Sequence, residues 1–221
     1  MMSKQRLSTR YMAVTAMFCA IAYVLVLLAK VIPNVAGFLS YEPKDVAVVI
    51  AGFILGPAAS VIVSVIVSFI EMITISTTGP YGLLMNVVST CAFALPAAII
   101  YKKHRTHRGA VVGLAVGVLV LAACMVAWNY IITPFYMGVP RAQVAGMLIP
   151  VFLPFNVIKG GLNAALTLLV YKPVVGALRK AKLIEESPSG AKKSFNLGFT
   201  LTAAAILVTF ILLFLALLGV L

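Results

Sequence analysis

Apolar residues run along this 221-residue chain in long stretches, and short polar or turn-forming segments separate them. A helix needs about 20 predominantly apolar residues to cross the roughly 30 Å hydrocarbon core of a bilayer. Stretches of that kind occupy Tyr11–Ala29, Val46–Ile70, Tyr81–Tyr101, Gly109–Ile132, Leu148–Tyr171 and Leu197–Leu221. The second is interrupted by Gly56-Pro57, a pair that either kinks one tilted span or ends one helix and starts another. Split there, it predicts a short helix over about Asp45–Gly56 and a longer one over about Ala58–Ser76. At 1.5 Å per residue the short helix is only about 18 Å long, too short to cross unaided, so it needs a protein-lined interior. The segments Lys30–Lys44 and Thr133–Gly146 read as outer loops rich in Pro, Gly and polar residues. The pattern predicts an all-α integral membrane protein, a six-helix bundle plus a seventh, C-terminal transmembrane helix.

Charge decides the split. Of the 17 Lys and Arg residues, 13 fall on one side when Gly56-Pro57 separates two helices: the N-terminal Lys4, Arg6 and Arg10, the cluster Lys102–Arg108, and the stretch Lys172–Lys193. A single crossing by Val46–Ile70 would put the last two groups outside, against the positive-inside tendency. The N-terminus is therefore expected in the cytoplasm of a multi-pass cell-membrane protein. No small-residue cleavage site follows Tyr11–Ala29, so it reads as a retained helix rather than a signal peptide. Composition agrees: 63% of residues are apolar and 10% charged, against about 45–50% and about 25% in soluble domains. The net charge of +12 is topological and implies no nucleic-acid partner, because the basic residues lie in short blocks between spans. Residues 1–183 form the predicted bundle, 184–196 a flexible cytoplasmic linker around Ser187-Pro188-Ser189-Gly190, and 197–221 a bland anchor or lipid-facing accessory helix.

Polar groups at membrane depth mark sites or water-filled cavities by default. Asn156, Lys159 and Asn163 share one helical face in the outer half of their span. Together they offer amide and ammonium donors to an oxygen-rich ligand. The bland alternative has Lys159 snorkelling to the interface and the two Asn residues joining helices. Trp128-Asn129-Tyr130 is either an interfacial aromatic belt or an amide reading the edge of a flat ring stacked on aromatics. The loop sequence Tyr41-Glu42-Pro43-Lys44-Asp45 brings carboxylates to the mouth, with Asp45 favoured as a plain N-cap. Glu71 follows Ser60, Ser64 and Ser68 on one face; the serines permit close packing, and Glu71 pairs with Lys159 or Lys44 or meets ligand. Thr78 lies in a turn and offers a hydroxyl to a ligand or simply to the turn. Ala16 and Ala20 form a small-xxx-small pair that admits a second helix closely.

Several chemistries are missing. There is no G-x-x-x-x-G-K-S/T phosphate loop, no H-E-x-x-H and no G-x-S-x-G, and both histidines sit in the basic cluster. Cys19, Cys91 and Cys124 lie in apolar stretches without pairing or ligand spacing. No enzyme, metal site or cofactor is predicted, and an intramembrane enzyme is the weakest reading. A solute-binding membrane protein and a structural assembly protein remain.

Tyr41-Glu42-Pro43-Lys44-Asp45-Val46 entering a short helix, the Gly56-Pro57 break, Asn129-Tyr130 and, above all, Pro154-Phe155-Asn156-Val157-Ile158-Lys159-Gly160 resemble the substrate-binding (S) components of energy-coupling factor (ECF) transporters. The riboflavin-binding branch is the most similar, over about Leu7–Leu183. The resemblance implies a six-helix protein that captures a vitamin outside the cell and joins a transmembrane coupling subunit and two cytoplasmic ATPases. It implies ligand contacts from Asn129, Asn156 and Lys159, a covering loop over Gly37–Asp45, and Ala16 and Ala20 facing the coupling subunit. Phe38, Leu39, Trp128 and Tyr130 would flank an isoalloxazine ring, with Tyr41, Glu42, Glu71, Thr78 and Asn163 as further candidates. Periodicity alone does not separate riboflavin from another small vitamin or heterocycle.

Overall fold

The computed structural model describes residues 9–184 and 197–220. Lys4 and Arg6, and the linker beyond Ile184 with Lys192 and Lys193, lie outside the described residues. Eight α-helices are present among the described residues: α1 (Thr9–Ala29), α2 (Lys44–Leu55), α3 (Pro57–Thr74), α4 (Gly79–Lys103), α5 (His107–Met137), α6 (Arg141–Met147), α7 (Leu153–Lys180) and α8 (Leu197–Leu217). A π-helical turn, Leu148–Phe152, joins α6 to α7. The sole extended pairing among them is an isolated bridge between Val35 and Leu39.

The Gly56-Pro57 break is real and has a local cause. Gly56 adopts φ 102° and ψ 167°, a conformation that side chains with a Cβ avoid, and Pro57 starts α3 where its missing N–H costs nothing. The chain thereby doubles back, and α2 packs against α1, α3, α4 and α7. Every residue from Lys44 to Phe53 is buried. An apolar surface all round a helix is stable only inside such a ring of neighbours, which gives the 12-residue α2 the protein-lined interior its length demands. Close approach to α3 and α4 depends on Gly52, where a Cβ would lie 2.1 Å from the Ser60 hydroxyl and 2.9 Å from Ala98 Cβ.

At the C-terminal foot of α2, Phe53 stacks on Tyr101 at 4.3 Å and meets Tyr171 edge-on at 5.6 Å. The two tyrosine hydroxyls are hydrogen-bonded to each other, which closes the bundle at this end. The exposed basic cluster Lys102–Arg108 spans the end of α4 and the start of α5. Arg10 at the start of α1 donates from Nε to the Leu183 carbonyl at 2.7 Å, so the basic segments around α1, α4 and α7 share one end of the molecule.

Two predicted helix ends are corrected. Helix five does not stop at Ile132: α5 continues through Pro134 to Met137 and ends on Gly138 in the left-handed conformation, φ 65°. The predicted loop Thr133–Gly146 is thus mostly helical, with α6 inside it. Helix six begins at Leu148 as expected, in a π-turn, but it does not stop at Tyr171: it runs past Pro173 to Lys180. Pro134 and Pro173 thus lie within helical backbone.

The seventh helix also differs from a bare anchor. It lies against α7, and Ala203 and Phe214 are buried, while Leu201, Val208, Leu212 and Leu213 face outward. Gly161 of α7 makes room for the Phe210 ring, which would be 2.2 Å from any Cβ there.

Candidate functional site: a polar cavity under the α1–α2 loop

The loop between α1 and α2 is shaped by its own backbone. Val35 and Leu39 exchange N–H···O=C bonds of 2.9 and 3.0 Å. At the tip Ala36 and Gly37 take positive φ values of 51° and 82°, and Gly is the residue that does so at least cost. Ser40 donates to Asn34 Oδ1 at 2.8 Å. The loop then turns Tyr41 and Glu42 inward, both buried, and delivers the chain to α2.

Beneath the loop lies an ion network that gathers residues from five segments. Lys159 Nζ donates to Glu42 Oε2 at 2.6 Å and to Ser89 Oγ at 3.3 Å, and lies 3.8 Å from Asp45 Oδ2. Lys44 Nζ donates to Glu42 Oε1 at 3.0 Å and Glu71 Oε2 at 2.8 Å. Asn86 Nδ2 also reaches Glu71 Oε2, at 3.0 Å, and the half-exposed Lys30 approaches Glu71 Oε1 at 4.0 Å. Thr90 donates to Asp45 Oδ1 at 2.6 Å. Asn163 Nδ2 donates to the Glu42 carbonyl at 3.1 Å and Asp45 Oδ2 at 3.3 Å, while its Oδ1 accepts from Tyr41 at 2.9 Å. Buried charges persist only when paired and hydrogen-bonded, and here the carboxylates of Glu42, Asp45 and Glu71 face the ammonium groups of Lys30, Lys44 and Lys159. Burial pushes the Glu42 carboxyl up, but Lys159 and Lys44 pull it down further and hold it below the ordinary carboxylate range.

This network forms one side of a cavity of about 770 Å³ between the loop and the ends of α3, α4, α5 and α7 nearest it. That volume lies within the roughly 300–1,000 Å³ of small-ligand sites. Lys159, Asn156 and Asn129 all reach it, as do Glu42, Glu71, Tyr41, Phe38, Leu39 and Thr78. Asn129 and Asn156 are each held by their own helix: Nδ2 donates to the carbonyl four residues back, Met125 at 2.7 Å and Phe152 at 2.8 Å. Such back-bonding fixes the amide plane. Asn129 Oδ1 further accepts from Thr133 at 2.8 Å. Apolar walls come from Val26, Ile75, Met85, Met125 and Phe155. A flat apolar body bearing polar edges matches this lining.

Four sequence expectations change. Asp45 is no N-cap: Pro43 holds the cap position, and Asp45 is fully buried because Thr90, Asn163 and Lys159 converge on it. Asn163 does not line the cavity; it sits one layer deeper and ties loop to α2. Trp128 lines a small crevice with Tyr81 and Ile132 that adjoins the cavity across Thr78, Met85 and Tyr136, because helical rotation turns its ring away from Asn129. The neighbouring Tyr130 is exposed beneath the Arg141 guanidinium at 5.4 Å, as in an interfacial belt. Lys159 does not snorkel; it is 4% exposed. Sequence reasoning missed Asn86, Ser89 and Thr90 on α4, whereas the pairing of Glu71 with Lys44 that it offered is formed. The three α4 residues form a polar stripe inside an apolar span, a signal of the same kind as Asn156 and Lys159.

The model of the family "ECF transporter, substrate-specific component" matches residues 10–171. The chain belongs to the S components of ECF transporters. This S component is 28% identical over 171 residues to the riboflavin transporter RibU of Staphylococcus aureus (strain TCH60), spanning 75% of this chain and 90% of the relative. It is 29% identical over 194 residues to the riboflavin transporter FmnP of Bacillus subtilis (strain 168), spanning 80% of this chain and 100% of that one. A solved structure described as the S component of a bacterial ECF transporter superimposes with a TM-score of 0.66, at 27% identity over 77% of this chain and 98% of that chain. The S component is accordingly a multi-pass membrane protein that serves transport with the membrane ECF module, and it is not an enzyme. The family match ends before α8.

Proposed function

We propose that this S component binds riboflavin from outside the cell and passes it to the ECF module for import. The carrying observation is the convergence of Asn129, Asn156 and Lys159 on one 770 Å³ cavity that also has apolar walls from Val26, Ile75, Met85, Met125 and Phe155. The names of the related transporters support the same vitamin. The isoalloxazine ring lies between the apolar walls and Phe38 and Leu39. Its pyrimidine edge meets the amides of Asn129 and Asn156, and the ribityl hydroxyls meet Lys159, Glu42, Tyr41 and Thr78. Lys44 and Lys159 are already neutralised by carboxylates, so the cavity favours uncharged riboflavin over a phosphorylated flavin.

Residues 1–183 form the binding unit and 197–221 an added span, with the basic end of the bundle and the N-terminus in the cytoplasm. Ala16 and Ala20 stand exposed on α1, and the transmembrane coupling subunit docks there, with the two cytoplasmic ATPases below it.

The test is titration of the purified protein against riboflavin, read by quenching of flavin fluorescence. One equivalent quenches with the wild type. Asn156→Ala weakens binding roughly 5- to 100-fold, the range for one lost buried hydrogen bond, with the melting temperature preserved. Folded wild-type protein that leaves flavin fluorescence unchanged while binding thiamine or another vitamin would reassign the ligand. Absence of any small-ligand binding would favour an assembly protein instead.

A further inference from the structure

The helix α8 lies beyond the family match, yet it spans the bundle from the basic end to the covering loop. At its start the Phe199 ring lies 4.9 Å from His107 and 5.9 Å from the Lys172 ammonium. Two-thirds of the way along, Phe210 occupies the space that Gly161 leaves on α7. At its far end the Phe214 ring, 7% exposed, packs on Tyr41 at 5.6 Å between centroids. Phe214 thereby joins the apolar cluster formed by Val35 and Leu39 of the loop with Phe152, Phe155 and Ile158.

Tyr41 is the residue through which this contact reaches the cavity. One face of its ring meets Phe214, its hydroxyl donates to Asn163, and Asn163 holds the backbone carbonyl of Glu42, the partner of Lys159. Loop ends that contact only water or lipid open at little cost, whereas a loop whose last residues are clamped between a helix and a buried amide does not. A plain anchor requires none of this: its inner face would be interchangeable apolar packing, with no aromatic reaching a cavity-lining residue.

We propose that α8 is a strap on the covering loop, and that Phe214, acting through Tyr41, is a positioning residue that sets how long a bound ligand stays. The proposal rests on the riboflavin reading for its kinetic test but not for its structural one. For the structural test, a nitroxide is placed at Ser40→Cys, an exposed loop position, with Cys91 and Cys124 changed to Ala. Phe214→Ala raises the mobility of the label without any ligand present, while Leu212→Ala, on the lipid-facing side of α8, leaves it unchanged. For the kinetic test, riboflavin is chased from the full chain. Phe214→Ala accelerates dissociation about threefold to tenfold, the effect of losing one aromatic pair, and Phe214→Tyr, which keeps the ring, stays close to wild type. Should Phe214→Ala fail to fold, Phe214→Leu reads the same changes at smaller amplitude. Unchanged label mobility together with unchanged dissociation overturns the strap. A label that responds in a protein that ignores riboflavin overturns the ligand assignment and leaves the strap standing.

Discussion

Lys159 shows how much one side chain carries in this site. Its ammonium serves Glu42 and Ser89 and lies close to Asp45, so its loss leaves buried carboxylates uncompensated. Removing one partner of a buried pair costs about 3–5 kcal/mol. Lys159→Met is therefore expected to lower thermal stability in detergent and to abolish tight ligand binding together, whereas Asn156→Ala affects binding alone. Acidity gives a second reading of the same residue. Glu42 has its folded-state pKa depressed, so its contribution to stability is complete above its unfolded value, about 4.3, and is lost as pH falls through the lower folded value. Melting temperatures should hold steady from pH 7 to about pH 5 and fall in stronger acid. In Lys159→Met, with the principal attraction gone and burial left to act, that fall should begin at higher pH. An unchanged acid profile would mean that the Glu42–Lys159 pair contributes nothing to the fold.

Among the elements, α2 depends most on its surroundings. Its length forbids crossing and its sequence is apolar on every side, so it exists because Gly56 lets the chain reverse into the bundle. Gly56→Val forces a β-branched side chain into φ 102°, a strain of about 1–3 kcal/mol. The expected outcome is a melting temperature several degrees lower, with weaker binding, because the start of α2 carries Lys44 and Asp45 into the ion network. A wild-type melting temperature would show that the break tolerates other conformations. The partner surface of α1 is a separate matter. Ala16→Trp on that exposed face should leave riboflavin affinity within about twofold and reduce uptake in cells supplying the whole transporter. Equal loss of both would place Ala16 inside the binding unit rather than on its coupling face. The same split explains why helix ends were the poorest part of the sequence reading. Pro134 and Pro173 are loop signals by composition, but each is carried within helical backbone here.

At the scale of the whole molecule, the spans, the Gly56-Pro57 reversal and the collection of basic residues at one end were legible because each follows from a rule of the bilayer. Apolar length sets a crossing, and uneven charge sets its direction. The polar comb Asn156–Lys159 was legible for the same reason, since polar groups at membrane depth must be used. Facing direction was another matter. Sequence placed Trp128 beside Asn129 and Asn163 on the face of Lys159, but rotation about α5 sent Trp128 to a different crevice, and depth along α7 put Asn163 behind the cavity wall. Asp45 read as a cap because its local context is that of a helix start, and only Thr90 and Asn163, 45 and 118 residues away, make it a buried anchor. The contact of Phe214 with Tyr41 joins residues with a loop and six helices between them, which no local pattern encodes. The chain alone thus determined what must lie in the membrane and which residues cannot stay unpaired there, since both follow from transfer free energies of single residues. Which partners satisfy them, and which walls enclose the cavity, depended on how helices distant in sequence pack side by side, and the tertiary structure alone decided that.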